Sequence, residues 1–170
     1  MDTDSFRNRQ HYKTFRRRRS LRLPDFDYSQ SRAYHVTWGT HERQPILARE
    51  ALAREIIDVL EERAGCDGVT VFTYCLMPDH IHLLLCPEQS ETVTSFVQGF
   101  KSKTTRTYWH HGGRDRLWQR GFFDHILRRD EDLESVANYI LGNPVRAGCV
   151  DTPEEYPFSG CVLPSLPSHE

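Results

Sequence analysis

A chain of 170 residues with 38% hydrophobic and 11% aromatic side chains can bury one real core, and its five cysteines, an odd number with no Cys-x-x-Cys pair, read as reduced thiols instead of a disulfide framework or zinc cage. No window approaches the roughly 18 consecutive apolar residues of a membrane span, and the basic N-terminus lacks a signal peptide's apolar segment, so a cytoplasmic, non-membrane protein is expected. The net charge of −2 argues against a polyanionic partner until its distribution along the chain is considered.

Residues 1–30 mix arginine clusters with isolated aromatics and no periodicity, which predicts a flexible basic arm. Its first 23 residues hold eight Lys/Arg, including Arg16, Arg17, Arg18 and Arg19, against two acids. Such a run either grips DNA or RNA or is simply a solvated face. Residues 33–40 then alternate as a half-buried strand with Tyr34, Val36 and Trp38 on one side. Pro45 opens a helix to about Ala64, with Leu52, Ile56 and Leu60 at helical spacing and Gly65 as its stop. A second strand, Val69 to Leu76, turns through Met77-Pro78-Asp79 into the run His80-Ile81-His82-Leu83-Leu84-Leu85, an antiparallel hairpin.

In that run alternate side chains share a face, so His80 and His82 project together, about 7 Å apart, opposite Ile81, Leu83 and Leu85. Two imidazoles so placed either ligate one ion with help from a third group or are a hydrogen-bonded, half-buried pair.

A helix from about Glu91 to Trp109 follows, with Phe96, Val97, Phe100, Thr104 and Tyr108 on one face and Lys101, Lys103 and Arg106 on others. These belong to a second basic patch, residues 101–130, with eight Lys/Arg against three acids and including Arg120, Arg128 and Arg129. His110 and His111 precede two glycines and read as loop residues, not ligands. A short strand spans Phe123 to Leu127, and Asp130 is expected to cap a helix over 131–143. On that helix Leu133, Val136, Ala137, Ile140 and Leu141 form the core stripe, while Tyr139 and Asn143 project side by side from its flank. Pro144 is expected to end it. A tyrosine on a helix flank is ordinarily a boundary residue and an asparagine before proline ordinarily a terminator, yet together they supply a nucleophile and an oxygen ligand, the groups the histidines lack.

The element order β-α-β-β-α-β-α suggests an α+β sandwich of the ferredoxin-like type, an antiparallel sheet with packed helices over residues 31–160, followed by a Pro/Ser tail at 161–170. Met77-Pro78-Asp79-His80-Ile81-His82-Leu83-Leu84-Leu85 and Asn138-Tyr139-Ile140-Leu141-Gly142-Asn143-Pro144-Val145-Arg146-Ala147-Gly148, in that order, carry a family resemblance. The chain resembles the single-tyrosine HUH transposases, and within them the REP-associated tyrosine transposases, from about Tyr34 to Phe158. Trp118-Gln119-Arg120-Gly121-Phe122-Phe123-Asp124-His125 is part of the likeness.

The resemblance implies a divalent cation, Mg²⁺ or Mn²⁺, held by His80, His82 and Asn143, with Tyr139 as nucleophile. Better-known relatives often carry glutamine where Asn143 stands, one methylene longer. The implied reaction is cleavage and rejoining of single-stranded DNA through a 5′-phosphotyrosine link, on hairpin or palindromic repeat substrates, by a monomer or by a homodimer that exchanges the tyrosine helix. Because tyrosine has a reference pKa near 10, the metal or a neighbouring cation must stabilise phenolate character. Lys103, Arg128 and Arg129 are candidates for that contact, and His125 is expected to be structural or to touch DNA. Competing readings are a domesticated DNA-binding module that no longer cleaves, a replication or conjugation initiator, and a small zinc hydrolase. The first has no use for all four site residues, the second lacks its extra elements, and the third would survive Tyr139→Phe.

Overall fold

The computed structural model describes residues 32–66, 68–88, 92–127 and 132–162. The expected basic arm with Arg16, Arg17, Arg18 and Arg19, the residues Arg128 and Arg129, and the tail beyond 162 lie outside them.

The alternating residues around Trp38 form strand β1 (Tyr34–Gly39), followed by helix α1 (Glu50–Cys66), the hairpin strands β2 (Val69–Met77) and β3 (His80–Pro87), and helix α2 (Val93–His110). Strand β4 (Phe123–Ile126), helices α3 (Leu133–Leu141) and α4 (Asn143–Arg146) and strand β5 (Ser159–Cys161) complete the chain. The strands make one antiparallel sheet in the order β4-β1-β3-β2-β5, the expected α+β ferredoxin-like arrangement with one strand added at the β2 edge. Sequence patterning missed β5, because three residues that include a glycine carry no usable period.

Strand register sorts the side chains onto two faces. Trp38 lies opposite Ile81 and Val36 opposite Leu83, while Thr37 lies opposite His82 and Gly39 opposite His80. The first set meets α1 and α2. Trp38 packs edge-on against Phe100 of α2, and Trp118 joins both rings while its indole N–H donates to Thr104 Oγ1 at 2.8 Å. The second set, with Cys75 and Met77 from β2, faces α3. The central strands are therefore apolar on one side and carry the histidines on the other. Among the described residues no helix is long and apolar enough to cross a membrane.

Several expected boundaries move, among them the end of α1, which passes Gly65 and runs to Cys66. Pro45 leads into a 3-10 turn at Ile46–Ala48, and α1 begins only at Glu50. The cap of α3 is Asp132, not Asp130: its carboxylate accepts from the Glu134 and Ser135 backbone N–H groups, so the helix starts two residues later. Asn143 does not end the tyrosine helix. The helix closes at Leu141, and Asn143 opens α4, whose first turn holds Pro144, a position where a missing N–H costs no hydrogen bond.

Candidate active site

The histidine wall is built from a turn and two strands. The Pro78-Asp79 turn is pinned from outside: Thr40 N–H donates to the Asp79 carbonyl at 2.9 Å and Leu47 N–H to that of Pro78 at 2.9 Å. This fixes the Asp79 carboxylate, whose Oδ1 lies 2.5 Å from His80 Nδ1 and whose Oδ2 takes an ion pair from Arg43 Nε at 3.2 Å. Arg43 and Glu42 both adopt left-handed backbone, φ 56° and 55°, which non-glycine residues hold only when their surroundings impose it.

His82, one β-repeat further on, has its Nδ1 3.0 Å from Thr37 Oγ1 and 3.0 Å from His35 Nε2. Both imidazoles thus have Nδ1 engaged by an orienting neighbour, and each has Nε2 left to bind. Outer partners fix metal-binding histidines in this way. Burial above all, then the charges of His80, His35, Arg146 and Arg43, pushes His82 down to about 3. Burial, then His125, also lowers His35. His82 at neutral pH is therefore the uncharged imidazole that a metal requires.

Tyr139 stands beside this wall. Its ring is edge-on to His35 at 6.2 Å, His35 lies 5.3 Å from His82, and His82 lies 4.9 Å from His80, so four rings run from the phenol to the far histidine within one chain. The tyrosine is 54% exposed, whereas Ala137 and Ile140 on the same helix are fully buried and dock it on the sheet. Arg146 folds back over it. The guanidinium carbon sits 4.0 Å from the ring centroid, and Nη2 donates both to the Tyr139 carbonyl at 2.7 Å and to Asn143 Oδ1 at 2.9 Å. Gly142 leaves room for this, since a Cβ there would meet Arg146 Nη1 at 2.8 Å.

Asn143 has the donor type the site needs, but both ends of its amide are engaged on its own helices: Nδ2 donates to the Ile140 carbonyl at 3.0 Å and Oδ1 accepts from Arg146. Among the described residues no group of three His, Cys, Asp or Glu side chains could hold a metal ion. With Nδ1 of each ring engaged by a neighbour, His80 and His82 are oriented to offer Nε2 to a divalent ion. A third protein ligand would be a neutral oxygen such as that of Asn143, freed from Arg146.

The expected DNA contacts divide. Lys101 is turned into the fold, donating to the Gln119 carbonyl at 3.1 Å and that of Gly121 at 2.5 Å above the Trp38 ring, and burial pushes it down to about 8. Lys103 pairs with Glu62 at 2.5 Å. Both stand on α2, on the face of the sheet away from the histidines. Arg106 and Arg120 are exposed, and Arg128 and Arg129 lie outside the described residues. His110 and His111, expected in a loop, are instead the last residue of α2 and its C-cap, and His111 pairs with Glu55 at 2.9 Å.

His125 lies opposite His35 on the neighbouring strand and helps line an open cleft of 330 Å³ with His35, Asp132, Ser135, Val136 and Tyr139. Sequence reasoning passed over His35, Thr37, Asp79, Arg43 and Arg146. A signal existed for His35 and Thr37, which have the opposite parity in β1 to Tyr34, Val36 and Trp38. Arg146 lies seven residues after Tyr139 and so two turns along the same face.

The family model described as "Transposase IS200 like" matches residues 28–143. A Haemophilus influenzae protein named as a REP-associated tyrosine transposase is 33% identical over 96 residues, covering 50% of this chain and 54% of that one, so the chain spans about half the length of that relative. The REP-associated tyrosine transposase of Escherichia coli K12 is 27% identical over 142 residues, 77% of this chain and 81% of that one. Among solved structures, a REP-associated tyrosine transposase bound to a REP hairpin superposes with a TM-score of 0.58 at 23% identity, over 75% of each chain, a likeness of fold.

Proposed function

This chain belongs to the IS200-like transposase family, and from that premise we propose that it cleaves and rejoins single-stranded DNA through a covalent bond to Tyr139. The observation that carries the reading is the placement of an exposed phenol, in the same chain, against His35, the ring that in turn meets His82 of a histidine pair whose Nδ1 atoms are already engaged.

In the proposed step the Tyr139 hydroxyl oxygen attacks the scissile phosphorus in line with the 3′ oxygen. The new bond is a phosphotyrosine ester to the 5′ side of the strand, the bond broken releases a 3′-OH, and the phenol proton passes to the solvent that reaches this half-exposed ring. Attack by a 3′-OH on the ester reverses the step, so the bond energy is conserved and no nucleotide cofactor is required. Arg146 holds the phenol's plane by stacking and tethers the backbone beneath it.

His80 and His82, with Asn143 as the oxygen donor, would hold a Mg²⁺ or Mn²⁺ ion. Such an ion, when bound, polarises the non-bridging phosphate oxygens and fixes the phosphate for attack. Hairpin DNA carrying an unpaired flank is the proposed substrate, by analogy with the relative solved on a REP hairpin. Because the tyrosine beside the histidines is the chain's own, cleavage in this reading needs no exchange of helices between subunits.

One observation favours the rival, a binder that does not cleave: the Asn143 oxygen is taken up by Arg146. The two part on a single assay. Incubation of the full chain with hairpin-bearing single-stranded DNA and Mn²⁺ is expected to give a protein–DNA adduct that survives denaturing electrophoresis. Tyr139→Phe is expected to abolish the adduct while retaining DNA affinity. An adduct formed equally by Tyr139→Phe overturns the mechanism, and DNA binding with no adduct in the unaltered protein establishes the rival.

A further inference from the structure

The cleft beside Tyr139 has a lining that suits a base and repels a phosphate. The N–H groups of Glu134 and Ser135 at the start of α3, the natural anchors for a phosphate, already donate to the Asp132 carboxylate, at 3.3 Å each. That carboxylate adds a negative charge at the mouth. The remaining walls are the rings of His35, His125 and Tyr139 and the Val136 side chain, around 330 Å³. This is room for a planar group and far more than the roughly 30 Å³ share of one liquid water.

The strand that carries His125 continues the surface. Phe123 is two residues earlier and therefore on the same face, opposite Thr37, in the cross-strand row that ends at His82. It is 78% exposed, the most exposed of the large apolar side chains among the described residues. An aromatic ring so placed gains little for the fold, while an exposed aromatic on the same sheet face as His35, the ring that Tyr139 meets, suits stacking on a base of single-stranded DNA.

We propose that this cleft receives the unpaired base adjoining the scissile phosphate, and that Phe123 stacks on the next base along the strand. The proposal rests on the reading of Tyr139 as the DNA nucleophile. Its ligand is a pair of consecutive unpaired bases, held by their faces and with little preference for sequence.

The test is an abasic scan read as equilibrium binding in EDTA, so that no cleavage intervenes. Hairpin oligonucleotides with a single-stranded flank carry one abasic residue at each flank position in turn. For the unaltered protein, two adjacent abasic positions are expected to weaken binding roughly 5- to 150-fold each, the range for loss of one base–aromatic stack. Phe123→Ala is expected to weaken binding to intact DNA by a similar factor, with no further loss when the abasic residue occupies one of those positions. Val136→Phe, which fills the cleft, is expected to do the same at the other.

Losses that simply multiply, or a flat scan on DNA that binds, overturn the base site and leave the proposed cleavage standing. The expected pattern in a protein that forms no Tyr139 adduct sinks the cleavage and keeps the stacking. A flat scan together with a dimer-to-monomer change in sedimentation on Phe123→Ala assigns that ring to a second copy of the chain, and also overturns the proposal.

Discussion

The histidine half of the site stands on β1 and β3, interior strands of the sheet, whereas the tyrosine half stands on a nine-residue helix laid across the sheet. On the strands the restraints reach across the fold: His82 is held by Thr37 and His35 from β1, and His80 by its neighbour Asp79, which Arg43 braces from another segment. On the helix the restraints are local, all within eight residues, from the Tyr139 carbonyl to Arg146. The contrast follows from the two tasks. An ion needs donors fixed to within fractions of an ångström and gains from burial, while a nucleophile needs a phosphate to reach it and has to be exposed.

The same contrast explains what was legible in the sequence. His80 and His82 announce themselves by a spacing of two, because strand geometry alone puts the pair on one face, whereas the spacing of four between Tyr139 and Asn143 presumes one unbroken helix and the two stand on α3 and α4. The partners that orient His82 come from 45 and 47 residues away, and only strand register, which the sequence does not state, brings them in, whereas His80 is held by Asp79, the residue before it. The sheet order was legible in outline because β2 and β3 form a tight hairpin around apolar alternation. The positions of the cations were not. Lys101 and Arg146 are both basic residues on helices, but one is drawn under a loop by two carbonyls and the other lies over a tyrosine.

The sharpest way to break the comparison is to remove the strand half. His82→Ala deletes a buried ring and leaves Thr37 and His35 without their shared partner. Adduct formation in Mn²⁺ is expected to fall by about 1,000-fold, above the 10- to 100-fold typical of losing an outer-shell partner, because an ion ligand itself is gone. Tyr139→Phe in the same assay loses the adduct but not Mn²⁺ affinity, measured by calorimetry. A His82→Ala protein with full Mn²⁺ affinity would mean the two halves are not divided as described.

A smaller effect is expected on the helix half. Arg146→Ala removes a cation–π contact and a hydrogen bond to a carbonyl, each worth about 1 kcal/mol, so the adduct rate should drop roughly thirtyfold. Arg146→Lys, which keeps the charge but not the planar fork, should recover only part of it. Arg146→Ala also frees the Asn143 oxygen, so in that variant Mn²⁺ affinity is expected to hold or to rise. A fall in Mn²⁺ affinity matching the fall in rate would make Arg146 a support for the metal half and erase the distinction.

The smallest effect belongs to Lys101, a cation that serves the fold. Burial lowers it to about 8 from the ordinary 10.5, so in the folded chain it loses its proton first. Between those two values the unfolded chain binds more protons, and stability therefore rises with pH through this window; below about 8 both states are charged and the contribution is flat. Cys75, pushed up to about 12 by burial, acts in the opposite sense at alkaline pH, as does the buried Tyr74. The observable is thus the difference between the unaltered protein and Lys101→Met in urea unfolding. That difference should shift in favour of the unaltered protein as pH goes from 7.5 to 10.5, since Cys75 and Tyr74 are common to both and cancel. In hairpin DNA binding, Lys101→Met should leave the slope of log affinity against log salt unchanged, whereas a phosphate contact would take about 0.7 from it on single strands. A reduced slope would return Lys101 to the DNA-binding surface and show that the face behind the sheet is used as well.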